Sequence, residues 1–145
     1  WMAELLNKAG FDGRVSGTIR NDVWNKIWGN AVFNPLSALT RANQRTLATD
    51  PDMRRLAAMM MREICDVGTA VGGEFEGSIE NRIDQAAALG NHRSSMLQDL
   101  EAGRPMELDA ILGAICEMGR FANVRTPSLD MVLAVLRLRA RHDYR

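Results

Sequence analysis

The sequence is poor in the residues that build metal centres and disulfide frameworks. It has only two cysteines and two histidines. Cys65 and Cys116 lie far apart, each inside helix-like sequence. No C-x-x-C pair or Cys/His cluster sets ligands at metal-binding spacing, which argues against a metal site. Two reduced, buried thiols in a cytoplasmic protein are expected. His92 and His142 have no motif around them and read as surface residues.

Net charge is missing too. Eighteen basic and eighteen acidic side chains cancel, and the pI is about 6.9. A neutral chain lacks the broad electrostatic footprint that nucleic acid or an anionic membrane requires, so neither is an expected partner. The basic tail "RLRARHDYR" (residues 137–145) reads as a solvated helix end whose cations suit the dipole. No uncharged apolar run reaches the roughly 18 residues needed to span a bilayer. The best candidate, Ile27 to Thr40, is interrupted by Asn30, Asn34 and Pro35. Residues 1–8 carry Glu4 and lack the cationic start and cleavage site of a signal peptide.

Strand-like alternation is almost absent, whereas helical periodicity runs through most of the 145 residues. With 46% hydrophobic and 25% charged residues, the chain reads as one domain, an all-α, compact multi-helix bundle. Trp1 to Lys8 predicts a short helix stopped at Gly10. A helix already under way at residue 1 suggests that the chain begins inside a larger protein. Phe11 to Arg20 is a Gly-punctuated connection with room for one short extended piece. Asn21 or Asp22 would cap the next helix. That helix heads for Ala42 and should kink or split at Pro35. A long helix follows the Asp50 cap with Pro51 in its first turn, and stops at Gly72–Gly73. Further helices run from Ser78 to Gly90, from Arg93 to Gly103, from near Pro105 to Asn123, and from a Thr126 or Ser128 cap to the end. Met59, Met60, Met61, Met96, Met106, Met118 and Met131 sit at helical positions beside Leu, Ile and Ala, as gap-filling core residues do.

One helix carries an unusual polar pattern. In "NKIWGNAVFNPLSALT" (Asn25 to Thr40), Lys26, Asn30 and Asn34 recur every four residues, which aligns them on one face. The positions between them are mostly apolar, so the polar stripe is narrow. Buried polar groups need partners, and these could come from a neighbouring helix or from a polar ligand in a cleft. The lysine is pointed in a chain with sixteen arginines and two lysines. An ammonium can pass on a proton near neutrality when burial or nearby cations favour its neutral form, whereas a guanidinium cannot. An ammonium with two amides at one and two turns' distance suits a small polyoxygenated ligand.

A second stretch, His92 to Ala110, places Ser94 and Ser95 at a probable helix start. They could cap the helix or help its free N–H groups hold a carboxylate. Glu107 follows Pro105 in what reads as the first helical turn, where an acid also simply suits the dipole.

Together these motifs resemble a known family. "W-x-K-x-x-x-N-x-x-x-N-P-L-S-A-L" (Trp24 to Leu39) is similar to the helical C-terminal domain of ketopantoate reductase, also called 2-dehydropantoate 2-reductase. "SSMLQDLEAGRPMELDAI" (Ser94 to Ile111) resembles that domain's second signature, and "TPSLDMVLAVL" its closing helix. The likeness covers essentially the whole chain. It implies the C-terminal fold of 6-phosphogluconate dehydrogenase-like reductases. It also implies reduction of 2-dehydropantoate to (R)-pantoate by NADPH, in the pathway to pantothenate and coenzyme A. On this resemblance Lys26 is the catalytic general acid, Asn30, Asn34 and Ser95 bind the substrate, and Glu107 lies near the lysine and the nicotinamide ribose. A homodimer is a further implication.

The family also needs an N-terminal Rossmann domain with a Gly-rich phosphate loop. No G-x-G-x-x-G occurs here, and "VGGEFEG" has no strand before it. The NADPH wall of the site is therefore expected in a preceding part of the same polypeptide, and this chain alone is expected to reduce nothing. A further substrate-facing Asn of the family, ten residues after Asn34, falls on Gln44, with Asn43 beside it. Which of the two faces the cleft stays open. Rival readings are a reductase of another bulky 2-oxo acid and a non-catalytic helical dimerisation module.

Overall fold

A computed structural model describes residues 1–143. Its helices are α1 (Met2–Lys8), α2 (Ile19–Thr40), α3 (Gln44–Thr49), α4 (Pro51–Ala70), α5 (Ile79–Ala88), α6 (Ser95–Glu101), α7 (Ala114–Phe121) and α8 (Pro127–Asp143). A π-helical turn, Asp109–Gly113, runs directly into α7. The fold is all-α, with no strand among the described residues. Among the described residues no helix is long and apolar enough to cross a membrane.

Helix α2 is the hub. It packs against α3, α4, α5, α6 and α8. Trp28, Leu36, Met60, Met61, Ile64, Leu112, Ile115, Leu129 and Leu136 form the centre of the core, each almost wholly shielded. Burial of such side chains is worth roughly 1.5–3 kcal/mol apiece. That explains why α2 runs unbroken through Pro35: core packing outweighs the loss of one backbone hydrogen bond, about 3 kcal/mol. The expected kink-or-split at Pro35 is therefore not a break. The helix ends instead at Arg41 in the left-handed region, φ 60°, whose N–H returns to Ser37.

The start of α2 also differs from expectation. Thr18, not Asn21 or Asp22, precedes the first turn. Asn21 is used elsewhere: its Oδ1 accepts from the Glu74 N–H at 3.2 Å and its Nδ2 donates to Glu74 Oε2 at 2.9 Å. Asn25 repeats the move on the Glu76 N–H at 2.9 Å and the Glu74 carbonyl at 3.1 Å. Two amides thus clamp the loop after α4 onto α2.

Asp50 and Ser78 cap α4 and α5 as expected, accepting from backbone N–H groups two or three residues on. Helix α3 has no counterpart among the predicted elements; Asn43 caps it through Thr46 N at 2.9 Å. The helix expected from Pro105 begins only at Leu108, so Glu107 stands outside it. A π turn holds more residues than an α turn, and this lets Leu108, Leu112 and Cys116, four apart, all return to the buried side.

Some packing expectations are corrected. Met59 and Met131 are 56% and 69% exposed and belong to no core. Cys65 is half-buried rather than buried, whereas Cys116 is buried, and both are free thiols. The C-terminal arginines do more than meet solvent. Arg139 donates to the last carbonyls of α2, Ala38 at 3.2 Å and Leu39 at 2.9 Å, and Arg137 pairs with Asp109 at 2.5 Å. Tyr144 and Arg145 of the basic tail lie outside the described residues. Helix α1 buries nothing, and the connection behind it is held by Asn7, which accepts from Gly13 N and donates to Gly13 O.

Candidate active site

The stripe on α2 runs from solvent into the core. Lys26 is exposed, Asn30 half-buried and Asn34 only 5% exposed. Among the described residues Lys26 has no ion pair and no hydrogen bond, so its ammonium is uncommitted. Beside it opens a cavity of about 320 Å³ between α2, α3 and α5. Lys26, Gly29, Asn30 and Phe33 form the α2 wall, Gln44 stands at the start of α3, and Arg82, Gln85, Ala86 and Leu89 close the third side. No carboxylate lines it.

Of Asn43 and Gln44, it is Gln44 that lines this cavity. Asn43 spends its side chain capping α3. Gln44 is 9% exposed, and its Oε1 is the one buried side-chain polar atom among the described residues without a partner. Buried acceptors are rarely left unpaired in native proteins. The same residue is one of those that line the cavity.

Arg82 is positioned by α2 as well. Its Nη2 donates to the Asn25 carbonyl, and its guanidinium carbon lies 5.8 Å from the Trp28 ring centroid. Trp28 is fixed in turn by its indole N–H on the Met61 carbonyl at 3.1 Å and by edge contact with Phe75, centroids 5.1 Å apart.

The other expected site residues do not line this cavity. Asn34 lies one turn beyond Asn30, deeper in the core. Ser94, buried, is the cap of α6 through Leu97 N at 3.2 Å, which leaves Ser95 exposed in the first turn of a helix that packs on α2. Glu107 is exposed just before the π turn. The structure thus joins Lys26 and Asn30 in one cavity and adds Gln44, Arg82 and Gln85. The family resemblance points to Gln44 or Asn43, but no local pattern could have revealed Arg82 and Gln85, because α5 reaches α2 only through tertiary packing. A larger depression, about 430 Å³, lies at the α7–α8 turn, but its Asp130 is already engaged by Thr126 and Arg120. Neither thiol is a candidate nucleophile. Burial, then a nearby Asp, pushes Cys65 and Cys116 up to about 11.

Comparison with known proteins adds to this geometry. Residues 18–140 match the family described as Ketopantoate reductase PanE/ApbA C terminal. A 2-dehydropantoate 2-reductase of Mesorhizobium japonicum is 44% identical over 136 residues, which cover 94% of this chain and 42% of that protein. The crystal structure of 2-dehydropantoate 2-reductase from Methylococcus capsulatus superposes with a TM-score of 0.91 at 31% identity, over 99% of this chain and 46% of that one. A dimeric ketopantoate reductase from Staphylococcus aureus superposes with a TM-score of 0.83 at 26% identity, over 98% of this chain and 50% of that one. The chain therefore spans less than half the length of the curated relatives it matches.

Proposed function

The chain belongs to the ketopantoate reductase family, matching its C-terminal part, and from that premise we propose that it is the substrate-binding and proton-donating domain of an NADPH-dependent reductase that converts 2-dehydropantoate to (R)-pantoate. The observation that carries this reading is the cavity lined by an uncommitted Lys26, by Asn30 and by Gln44. Its apolar surfaces, Phe33, Ala86 and Leu89, suit a branched carbon skeleton.

In this reading Lys26 faces the keto oxygen of the substrate. NADPH, when bound, supplies hydride to the keto carbon. As negative charge grows on the oxygen, the Lys26 ammonium stabilises it and then gives it a proton. Asn30 orients the substrate's oxygens, and Gln44 Oε1 accepts from a substrate hydroxyl. Asn34, Ser95 and Glu107 are kept as family-implied positions. Asn34 would support the stripe from the core side, Ser95 would hold the substrate from α6, and Glu107 would accept from ribose hydroxyls of the cofactor. The exposed carboxylate of Glu107 fits that last role. The described residues contain no βαβ unit, so the body of the dinucleotide would be held by a preceding Rossmann domain of the same polypeptide. A homodimer, as named for the Staphylococcus aureus relative, is part of the proposal.

The test is steady-state reduction of 2-dehydropantoate and a panel of other 2-oxo acids by the full-length polypeptide, with NADPH and with NADH. Fast turnover of 2-dehydropantoate with NADPH is expected. Lys26→Ala should lower kcat by about a hundred- to ten-thousand-fold, the usual worth of a positioned general acid. Turnover of a different 2-oxo acid alone would move the substrate. No turnover of any would overturn the reading.

A further inference from the structure

We infer that Arg82, on α5, is the anchor for the substrate's carboxylate. The inference rests on the reductase reading above and assigns a part of the cavity that the sequence motifs leave blank.

Three observations converge on it. First, the cavity is cationic without a counter-charge: Lys26 and Arg82 line it, and no Asp or Glu does. Two cations facing one space repel each other unless an anion sits between them. Second, the guanidinium is held in place before any ligand arrives. One donor is spent on the Asn25 carbonyl, and the group lies over the Trp28 ring. A guanidinium has five N–H donors in a rigid fork, so most remain for a ligand, in the geometry that suits a carboxylate. Third, the cavity is built to take a polar ligand. Gln44, nine-tenths buried, stands on its wall, and its side-chain oxygen has no partner.

The three polar groups then divide a hydroxylated 2-oxo acid between them. Arg82 takes the carboxylate, Lys26 the keto oxygen and Gln44 the hydroxyl donor. Lys26 is thereby kept from being consumed as the counter-ion of the carboxylate. A guanidinium stays protonated throughout and suits a fixed charge, whereas the ammonium is left for proton transfer.

The experiment compares wild type, Arg82→Gln and Arg82→Lys in the full-length polypeptide. Its probes are 2-dehydropantoate for turnover, and pantoate, its neutral lactone and NADP⁺ for calorimetric binding. Arg82→Gln should raise both KM for the keto acid and Kd for pantoate by roughly ten- to a hundredfold, the range expected for a lost charge-assisted bond, while kcat changes little. Lactone and NADP⁺ binding should stay as in wild type, and Arg82→Lys should recover part of the acid affinity with its fold intact. Equal weakening of pantoate and lactone would make Arg82 a prop for Trp28 and α2, and would overturn the inference. Weakening of NADP⁺ instead would assign the guanidinium to a cofactor phosphate and overturn it too. Unchanged acid-over-lactone preference in Arg82→Gln would sink the Arg82 assignment alone. A wild type that neither binds pantoate nor reduces a 2-oxo acid would overturn the reductase reading, and this inference with it.

Discussion

Two glycines on neighbouring helices separate the demands of fold and site. A Cβ at Gly68 would lie 2.5 Å from Phe75 Cζ and 3.1 Å from Trp24 Cδ2. Those rings already pack on each other, Trp24 to Phe75 at 5.8 Å between centroids, so making room means shifting both. Gly68→Ala should destabilise the chain by about 1–3 kcal/mol in urea unfolding, as overpacking does. Gly29 is different. Its added Cβ would meet only Arg82 Nε, at 3.9 Å, an ordinary contact. Gly29→Ala should therefore stabilise α2 by about 0.5–1 kcal/mol through helix propensity. Yet Gly29 lines the cavity, so the same variant should raise KM for the keto acid. Greater stability with unchanged KM would detach this cavity from the chemistry. The thiols give a third check. Both lie near 11 against 9.0 for the free group, so neither should react with iodoacetamide at pH 8 in the folded state. The folded state favours the protonated thiols, so their contribution to stability is full below pH 9 and is lost as pH rises towards 11. At this scale the sequence is most informative where spacing alone sets geometry. Lys26, Asn30 and Asn34 share a helix face because four residues make about one turn. Gln44 is indicated only together with Asn43, and Arg82 stays hidden because nothing local says what faces it.

Among the elements, α8 shows how one side chain from a distant helix can complete another. Glu63 of α4 accepts from Ser128 N at 2.9 and 3.1 Å and from Leu129 N at 3.0 Å. It thus satisfies two of the N–H groups left open at the start of α8 and meets the positive end of that helix's dipole. Glu63→Ala should cost about 1–2 kcal/mol in chemical denaturation, the usual loss on removing a cap. A variant as stable as wild type would mean that solvent serves those groups equally well. Local signals of this kind are legible when they lie within the element: Asp50, Ser78 and Ser94 cap where their sequence places them. The departures arise where tertiary contacts take over. Asn21 has the chemistry of a cap, but it clamps the Glu74 loop. Pro35 has the chemistry of a break, but its surroundings are core. The turn at Asp109–Gly113 is π-helical, which no local signal in the sequence indicates.

At the scale of the molecule, the cavity beside Lys26 lies at the outer side of the bundle, between α2, α3 and α5. The helical bundle holds Lys26 near solvent while fixing Asn34 and Trp28 in its core, so the residue proposed as proton donor stands on a well-packed helix. Membership of the family is readable because two motifs keep their order and separation along one chain. The site wall contributed by α3 and α5 is not, since it exists only once the bundle is assembled. The central claim is that Lys26 gives a proton and does not merely supply charge. It is tested most directly by kcat for 2-dehydropantoate reduction in the full-length polypeptide carrying Lys26→Arg, which keeps the positive charge but cannot release a proton near neutrality. We predict a loss approaching that of Lys26→Ala, about a hundredfold or more, with pantoate still bound. Turnover close to wild type would contradict the account and reduce Lys26 to an electrostatic contact.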